Sequence, residues 1–207
     1  MNNLKIGVLT LQGGFDKHIE SLVKLEVEAI KVREVKELDS IDGLVIPGGE
    51  STTIIRLLKN FGIYDILRKK IVEGMPVFGT CAGMILLSRG ISSHENQETL
   101  NLMNFRVSRN DYGRQIDSFD ADLSIKGLEE KPVPAVFIRA PRITEISDSV
   151  EILSEYNGSP VMVREKNMLA ASFHPELTSD TRVHSLFIDM IINQKNELLK
   201  IGKECKA

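Results

Sequence analysis

Cysteine is the strongest side-chain nucleophile when ionised, and Cys81 stands where a nucleophile would be presented. Apolar Met75-Pro76-Val77-Phe78 leads into Gly79-Thr80-Cys81-Ala82-Gly83, and Met84-Ile85-Leu86-Leu87 follows. An apolar run, a glycine-flanked cysteine and a helical pattern predict a strand, a sharp turn and a helix. That arrangement lifts the side chain at the turn out of the sheet, as in a nucleophile elbow. The helix would aim N–H groups and its positive dipole end at the sulfur, surroundings that favour the reactive thiolate. Far downstream, Ala170-Ala171-Ser172-Phe173 runs into His174-Pro175-Glu176, a second strand end with a base and a carboxylate to orient it. Cys81, His174 and Glu176 are therefore candidates for a Cys-His-Glu triad acting on an amide. Attack on an amide carbon builds negative charge on oxygen. The candidate donors to that oxyanion are the backbone N–H groups of Ala82, just after the nucleophile, and Gly49, in Pro47-Gly48-Gly49. Losing one such donor typically raises a barrier by roughly 3–4 kcal/mol. Glycine at 48 and 49 lets the main chain take φ > 0 and approach a substrate closely.

Each fragment alone is ordinary. A cysteine after a strand is commonly a buried small hydrophobe, His-Pro-Glu can be any loop, and Pro-Gly-Gly is a generic turn. Their joint occurrence at three strand ends carries the argument, because ligands of open α/β sheets sit at the carboxyl ends of strands. Cys205 lies in a polar tail and is read as incidental, and His94 as a solvated loop residue. His184 is read as a surface or hydrogen-bonded helix residue, and Met84, Met103, Met162, Met168 and Met190 as core.

The elements that must position these groups follow from periodicity. Lys5–Leu11 reads as a buried strand, and Phe15–Leu25 has near-helical spacing of Phe15, Ile19, Leu22, Val23 and Leu25. Glu28–Val32 and Gly43–Ile46 read as strands. Ser51–Asn60 reads as a helix capped by Ser51 or Thr52, and Ile63–Glu73 as another, stopped by Gly74 and Pro76. This alternation predicts an α/β fold, an open and mostly parallel sheet with helices on both faces. Gly90–Gln97 reads as loop. Asn104–Tyr156 reads as an insertion of mostly antiparallel strands, including Phe119–Ile125 and Val133–Arg139, punctuated by Pro132, Pro134 and Pro141. Pro160–Glu165 and Met168–Phe173 read as a hairpin around Lys166-Asn167, and Asp180–Asn196 as a helix packed on the sheet through Val183, Leu186, Phe187, Met190 and Ile191.

Composition narrows the class. The 207 residues suit a single domain over 1–207, and 42% hydrophobic with 27% charged residues is ordinary for a globular chain. A net charge of -3 gives no electrostatic case for nucleic acid. No apolar run approaches the roughly 20 residues that span a bilayer. The start, Met1-Asn2-Asn3-Leu4-Lys5, reads as the approach to a strand rather than a signal peptide. Two cysteines make no disulfide framework, so a cytoplasmic setting is expected. No CxxC metal pattern, internal repeat or GxxxxGK[ST] loop occurs, and the expected chemistry calls for no metal and no cofactor.

Gly79-Thr80-Cys81-Ala82-Gly83 with His174-Pro175-Glu176 resembles the class I, triad-type glutamine amidotransferases, whose fold is flavodoxin-like. Further segments resemble the vitamin B6 branch of that family, the glutaminase subunits of pyridoxal 5′-phosphate synthase. They are Leu11-Gln12-Gly13-Gly14-Phe15-Asp16-Lys17-His18, Pro47-Gly48-Gly49-Glu50-Ser51-Thr52-Thr53, the Arg109-to-Gln115 segment with its Gly113-Arg114-Gln115, Phe137-Ile138-Arg139-Ala140-Pro141 and His174-Pro175-Glu176-Leu177-Thr178. Asp111-Tyr112 stand where that branch commonly has a small residue and Phe. The similarity runs from about Lys5 to Asn193.

The resemblance implies hydrolysis of L-glutamine to glutamate and ammonia through a glutamyl thioester on Cys81. It implies glutamine binding by Gly48, Gly49, Glu50, Arg109, Ile138 and Arg139. A guanidinium suits an α-carboxylate, and an acid suits an α-ammonium; without the resemblance, Arg109 and Arg139 read equally as surface ion-pair residues. It also implies a partner, a (β/α)-barrel synthase assembled as a dodecamer and decorated by glutaminase subunits, to which ammonia passes through a sealed passage. Gln12 is expected to help activate the site when that partner docks. His18 is expected either to share the interface or to be a solvated helix residue. Three rivals remain at this point: a glutaminase serving another pathway, a silent regulatory module on the same fold, and a general cysteine hydrolase.

Overall fold

Alternate residues of the first strand, β1 (Lys5–Leu9), face opposite ways and enter different cores. Ile6 and Val8 join one apolar cluster and Leu9 the other, as Val45 and its neighbours Leu44 and Ile46 do on β3 (Gly43–Ile46). A strand buried on both faces needs a continuous apolar run and helices above and below. The computed structural model, which describes residues 4–92, 96–109 and 118–204, has that architecture.

The main sheet has seven strands. Beyond β1 and β3 they are β2 (Glu28–Val32), β4 (Val77–Thr80), β10 (Glu151–Tyr156), β11 (Ser159–Glu165) and β12 (Met168–Ala171). Their spatial order is β10-β11-β12-β4-β3-β1-β2. The run from β12 to β2 is parallel, and β11 and β10 add antiparallel at one edge. Helices α1 (Phe15–Lys24) and α5 (Arg182–Glu204) carry residues of one core. Helices α2 (Ser51–Asn60), α3 (Tyr64–Val72) and α4 (Ala82–Leu87) carry residues of the other.

Three smaller strands, β5 (Ser88–Ile91), β6 (Met103–Ser108) and β9 (Arg142–Ile146), form a second sheet in which β5 and β6 are parallel. A hairpin of β7 (Ser118–Leu123) and β8 (Val133–Ile138) completes the fold. Phe119 stacks on Phe137 at 4.5 Å between centroids, and Phe137 packs on Phe173 at 5.7 Å. That contact ties the hairpin to the strand end carrying His174.

Most of the expected elements form at or near their expected bounds; four points differ. The Asn104–Tyr156 insertion ends earlier than its apolar pattern suggests, because β10 belongs to the main sheet. Asn157 and Gly158, both at positive φ, make the tight turn that returns it to β11. Gly90 and Ile91 are strand, not loop, since β5 pairs with β6. Glu50, not Ser51 or Thr52, caps α2; its carboxylate accepts from the Thr52 N–H at 3.4 Å and the Thr52 hydroxyl at 2.9 Å. Helix α5 runs past Asn196 because Lys, Glu and Leu sustain a helix after the apolar stripe ends, and Gln194 and Lys195 anchor its middle to Gly74 and Asp42. His94, the Asn110–Gln115 motif and Cys205 lie outside the described residues.

Candidate active site

Strand β4 ends at Thr80, and the chain turns into α4 through Cys81 with φ 49° and ψ −102°. A non-glycine residue there stores of order 1–3 kcal/mol of strain, which the surroundings must hold in place. They do so from three sides: the Cys81 N–H donates to Ala171 on β12, its carbonyl accepts from Ile85, and the neighbouring Gly79 and Gly83 face each other closely. A Cβ on Gly83 would lie 2.1 Å from the Ile46 carbonyl oxygen, so only glycine lets α4 start this near β3. The sharp turn expected around Cys81 is present, although α4 has only six residues.

His174 follows β12 and is held by the insertion hairpin, since its N–H donates to Val136 on β8. Its Nδ1 is 2.7 Å from Glu176 Oε1, which leaves Nε2 to face the sulfur. The Cys81 Sγ lies 3.8 Å from the Ile138 carbonyl at the end of β8 and is also a direct neighbour of His174. Gly48 completes the junction: a Cβ there would lie 2.4 Å from His174 Cε1 and 3.4 Å from Cys81 Cβ. The loop after β3 thus runs against both side chains, as a glycine pair permits.

Burial would lower the His174 pKa, but its hydrogen bonds to Cys81 and Glu176 and their charges outweigh that and raise it to about 10. Burial would raise Glu176, but the His18 side chain and the His174 bond and charge hold it below the usual carboxylate value. A cationic imidazole flanked by a carboxylate and a sulfur suits nucleophilic catalysis by cysteine.

The remaining expected residues divide. Gln12, in the loop after β1, accepts from the Glu50 N–H through Oε1 at 2.8 Å and packs against Gly49. The Gly14 N–H donates to the Gly48 carbonyl at 3.0 Å, so the β1 loop grips the glycine pair along its length. Arg109 reaches the same place: its guanidinium bonds Glu50 at 2.6 Å and Gln97 at 2.7 Å. Burial would raise Glu50, but the bonds from Thr52 and Arg109 hold it below the usual value. Ile138 and Arg139 lie on the rim beside Cys81, both exposed, with Arg139 at φ 44°. Ala82 opens α4, where helix N–H groups have no intrahelical acceptor.

His18 is the correction. Neither a docking surface nor solvent can reach it, because its side chain is 0% exposed and turned inward. Its Nε2 lies 3.3 Å from Glu176 Oε2 and 3.1 Å from the Thr80 hydroxyl, and its Nδ1 lies 2.9 Å from Nε2 of an equally buried His184. The sequence carried a signal for both. His18 falls with Phe15, Ile19 and Leu22, and His184 with Phe187, Ile188 and Ile191, on apolar helical stripes.

Burial lowers the pKa of His18, and it lowers that of His184 to about 3. Below pH 6.5 the unfolded chain therefore binds protons that these two sites refuse in the native state, so stability falls on acidification. Each such histidine costs about 1.4 kcal/mol per pH unit across the gap. His174 has the opposite sign: its contribution is complete below 6.5 and lost as pH rises through about 10. Urea unfolding from pH 4 to 10 should give a stability maximum near neutrality. A flat acid limb would show that both buried histidines protonate freely.

Residues 8–193 match the SNO glutamine amidotransferase family. The chain is 52% identical to "Pyridoxal 5′-phosphate synthase subunit PdxT" of Thermosipho africanus, over 91% of this chain and 99% of that one. It is 48% identical to the protein of the same name from Kosmotoga olearia, over 93% and 100%. A solved glutamine amidotransferase superposes with a TM-score of 0.86 at 44% identity, covering 90% of this chain and 98% of that one. Matched across nearly its whole length by a family and by relatives at half identity, with the cysteine turn and histidine strand end joined in space, the chain belongs to the SNO glutamine amidotransferase family.

Proposed function

We propose that this glutamine amidotransferase hydrolyses L-glutamine with Cys81, His174 and Glu176 and delivers the ammonia to a pyridoxal 5′-phosphate synthase partner. The observation that carries the chemical half is the Cys81–His174–Glu176 junction, with Nδ1 2.7 Å from the carboxylate and Gly48 against both the His174 ring and the Cys81 Cβ. The Cys81 sulfur attacks the side-chain amide carbon, and the N–H groups of Gly49 and Ala82 receive the developing oxyanion. The C–N bond then breaks as His174 gives its proton to the leaving nitrogen, forming ammonia and a glutamyl thioester. His174, now neutral, takes a proton from water; the hydroxide adds to the thioester, the C–S bond breaks, and glutamate leaves. Glu50 and Arg109, with the Gly48-Gly49 main chain and the Ile138-Arg139 rim, surround the position where the amino-acid end of glutamine would lie. Their ion pair would open toward the substrate α-ammonium and α-carboxylate.

The synthase half rests on relatives that bear that name at about half identity. Ammonia released to water would be protonated and lost, so direct transfer into a partner is the useful outcome. The partner is read as a (β/α)-barrel forming a dodecameric core with glutaminase subunits on its outside. Gln12 transmits docking to the glycine pair, a reading supported by its hydrogen bond from the Glu50 N–H. No helix among the described residues is long and apolar enough to cross a membrane, and a site built on a free Cys81 fits the reducing cytoplasm. The experiment is glutamate release from glutamine with and without the synthase. The isolated chain should turn over slowly and the synthase should raise the rate; equal rates would remove the coupling, and turnover of unrelated amides would favour a general hydrolase.

A further inference from the structure

Behind Glu176, on the side away from His174, three buried polar groups form a line that the proposed chemistry does not use. The His18 side chain on α1 lies 3.3 Å from Glu176 Oε2 and 3.1 Å from the Thr80 hydroxyl, one residue before Cys81. His184 on α5 meets His18 at 2.9 Å. Phe78 on β4 covers both rings edge-on, at 6.5 Å from His18 and 6.2 Å from His184. The titratable groups near this line are Glu176, His174 and the two histidines themselves.

Proton accounting fixes the direction of the line. If His18 Nε2 were unprotonated, its lone pair would face the lone pairs of Glu176 Oε2 across 3.3 Å in a buried site. With Nε2 protonated, His18 donates to the Thr80 hydroxyl and turns the positive end of the same N–H dipole toward Glu176 Oε2, a buried oxygen 3.3 Å away with no hydrogen bond of its own, and its Nδ1 becomes an acceptor. His184 must then present Nε2–H to that acceptor, which leaves His184 Nδ1 as a bare lone pair. That atom is buried without a hydrogen-bond partner. His184 Nδ1 is left unpaired in either tautomer, so the choice is made at the other end of the line, where an N–H dipole beside the Glu176 carboxylate costs less than a lone pair facing it.

We propose that His184 and His18 are positioning residues that lock the Glu176 carboxylate, and through it the His174 ring, in the orientation the Cys81 reaction needs. His184 sets the His18 tautomer, the His18 N–H dipole attracts Oε2 across 3.3 Å without a formed hydrogen bond, and Oε1 is thereby left to His174 Nδ1. Burial, which lowers the pKa of both histidines, keeps the line uncharged at neutral pH, so it can orient the carboxylate without neutralising its charge. This rests on the triad reading given under Proposed function.

The test uses the full chain with the synthase and a substitution-free measurement beside it. His184→Leu removes the donor to His18 and should lower kcat for glutamine by about 10–100-fold with KM within about twofold. His184→Gln, whose amide can donate from nearly the same place, should restore most of it. Urea unfolding confirms that both variants are folded. In the unaltered protein, nitrogen NMR at pH 7 should find His18 protonated on Nε2 and bare on Nδ1. The opposite tautomer, a charged His18, an unchanged kcat in folded His184→Leu, or failure of His184→Gln to recover activity would each overturn the proposal. Cys81→Ala separates the two ideas: if it still releases glutamate, the triad reading falls; if it is dead while folded His184→Leu is normal, only the positioning line falls.

Discussion

Replacing Cys81 with alanine should reduce glutamate release by at least about 10³-fold, because no other group near the substrate position can form the thioester. Glutamine binding should survive, since Glu50, Arg109 and the glycine pair are untouched, so the loss should fall on kcat. Replacing Cys81 with glycine should be equally inactive yet more stable than the alanine variant, by about 1 kcal/mol or more. The reason is the backbone at φ 49°, ψ −102°, which glycine adopts without a Cβ penalty. Stopped assays of glutamate and urea unfolding of the two variants check both halves. Alanine and glycine variants of equal stability would mean that the turn holds no strain at position 81, and persistent turnover would remove Cys81 from the chemistry.

Glu176→Gln should lower kcat by roughly 10³–10⁴-fold while keeping the shape of the site, as carboxylate-to-amide changes in such triads do. The substitution removes the charge that favours a cationic His174. It also sets an amide beside His174 Nδ1 at one end and His18 Nε2 at the other, where a donor on either side has no acceptor to meet. The His174 pKa should fall from about 10 toward its ordinary value of 6.5. Titration of the imidazole by NMR reads that directly. A value that stays high would assign the perturbation to the sulfur alone, and a modest loss of rate would make the carboxylate a structural residue.

Distance along the chain sets how much of this fold and site the sequence makes legible. Local patterns reported local structure well. The continuous apolar runs of β1 and β3, the glycine-flanked turn at Cys81 and the hairpin at Lys166-Asn167 are decided within a few residues, by sterics and by which faces must be apolar. The strand ends bearing Gly48-Gly49, Cys81 and His174 could be placed together because parallel sheets put all such ends on one edge. The errors came where a remote partner outweighs the local pattern. Residues Glu151–Tyr156 looked like part of the insertion, yet the sheet edge offered by β11 captured them. His18 looked like an outward helix histidine because polar residues on helices usually are; a buried carboxylate and a second histidine turned it inward.

Residue type and short spacing settled the chemistry on offer: a candidate nucleophile at a sharp glycine-flanked turn, a candidate base and a carboxylate two residues apart, and the glycines that let main chain approach them. Those are properties of residue type and short spacing, which sterics fix without reference to the rest of the chain. Which groups touch was settled by packing between distant segments. It set Oε1 of Glu176 on His174 and Oε2 beside His18, tied Arg109 to Glu50, and used β8 to hold both His174 and the Ile138 carbonyl beside the sulfur. Such contacts join residues far apart in the chain. Their energies depend on burial and on competing partners, which no short window of sequence contains.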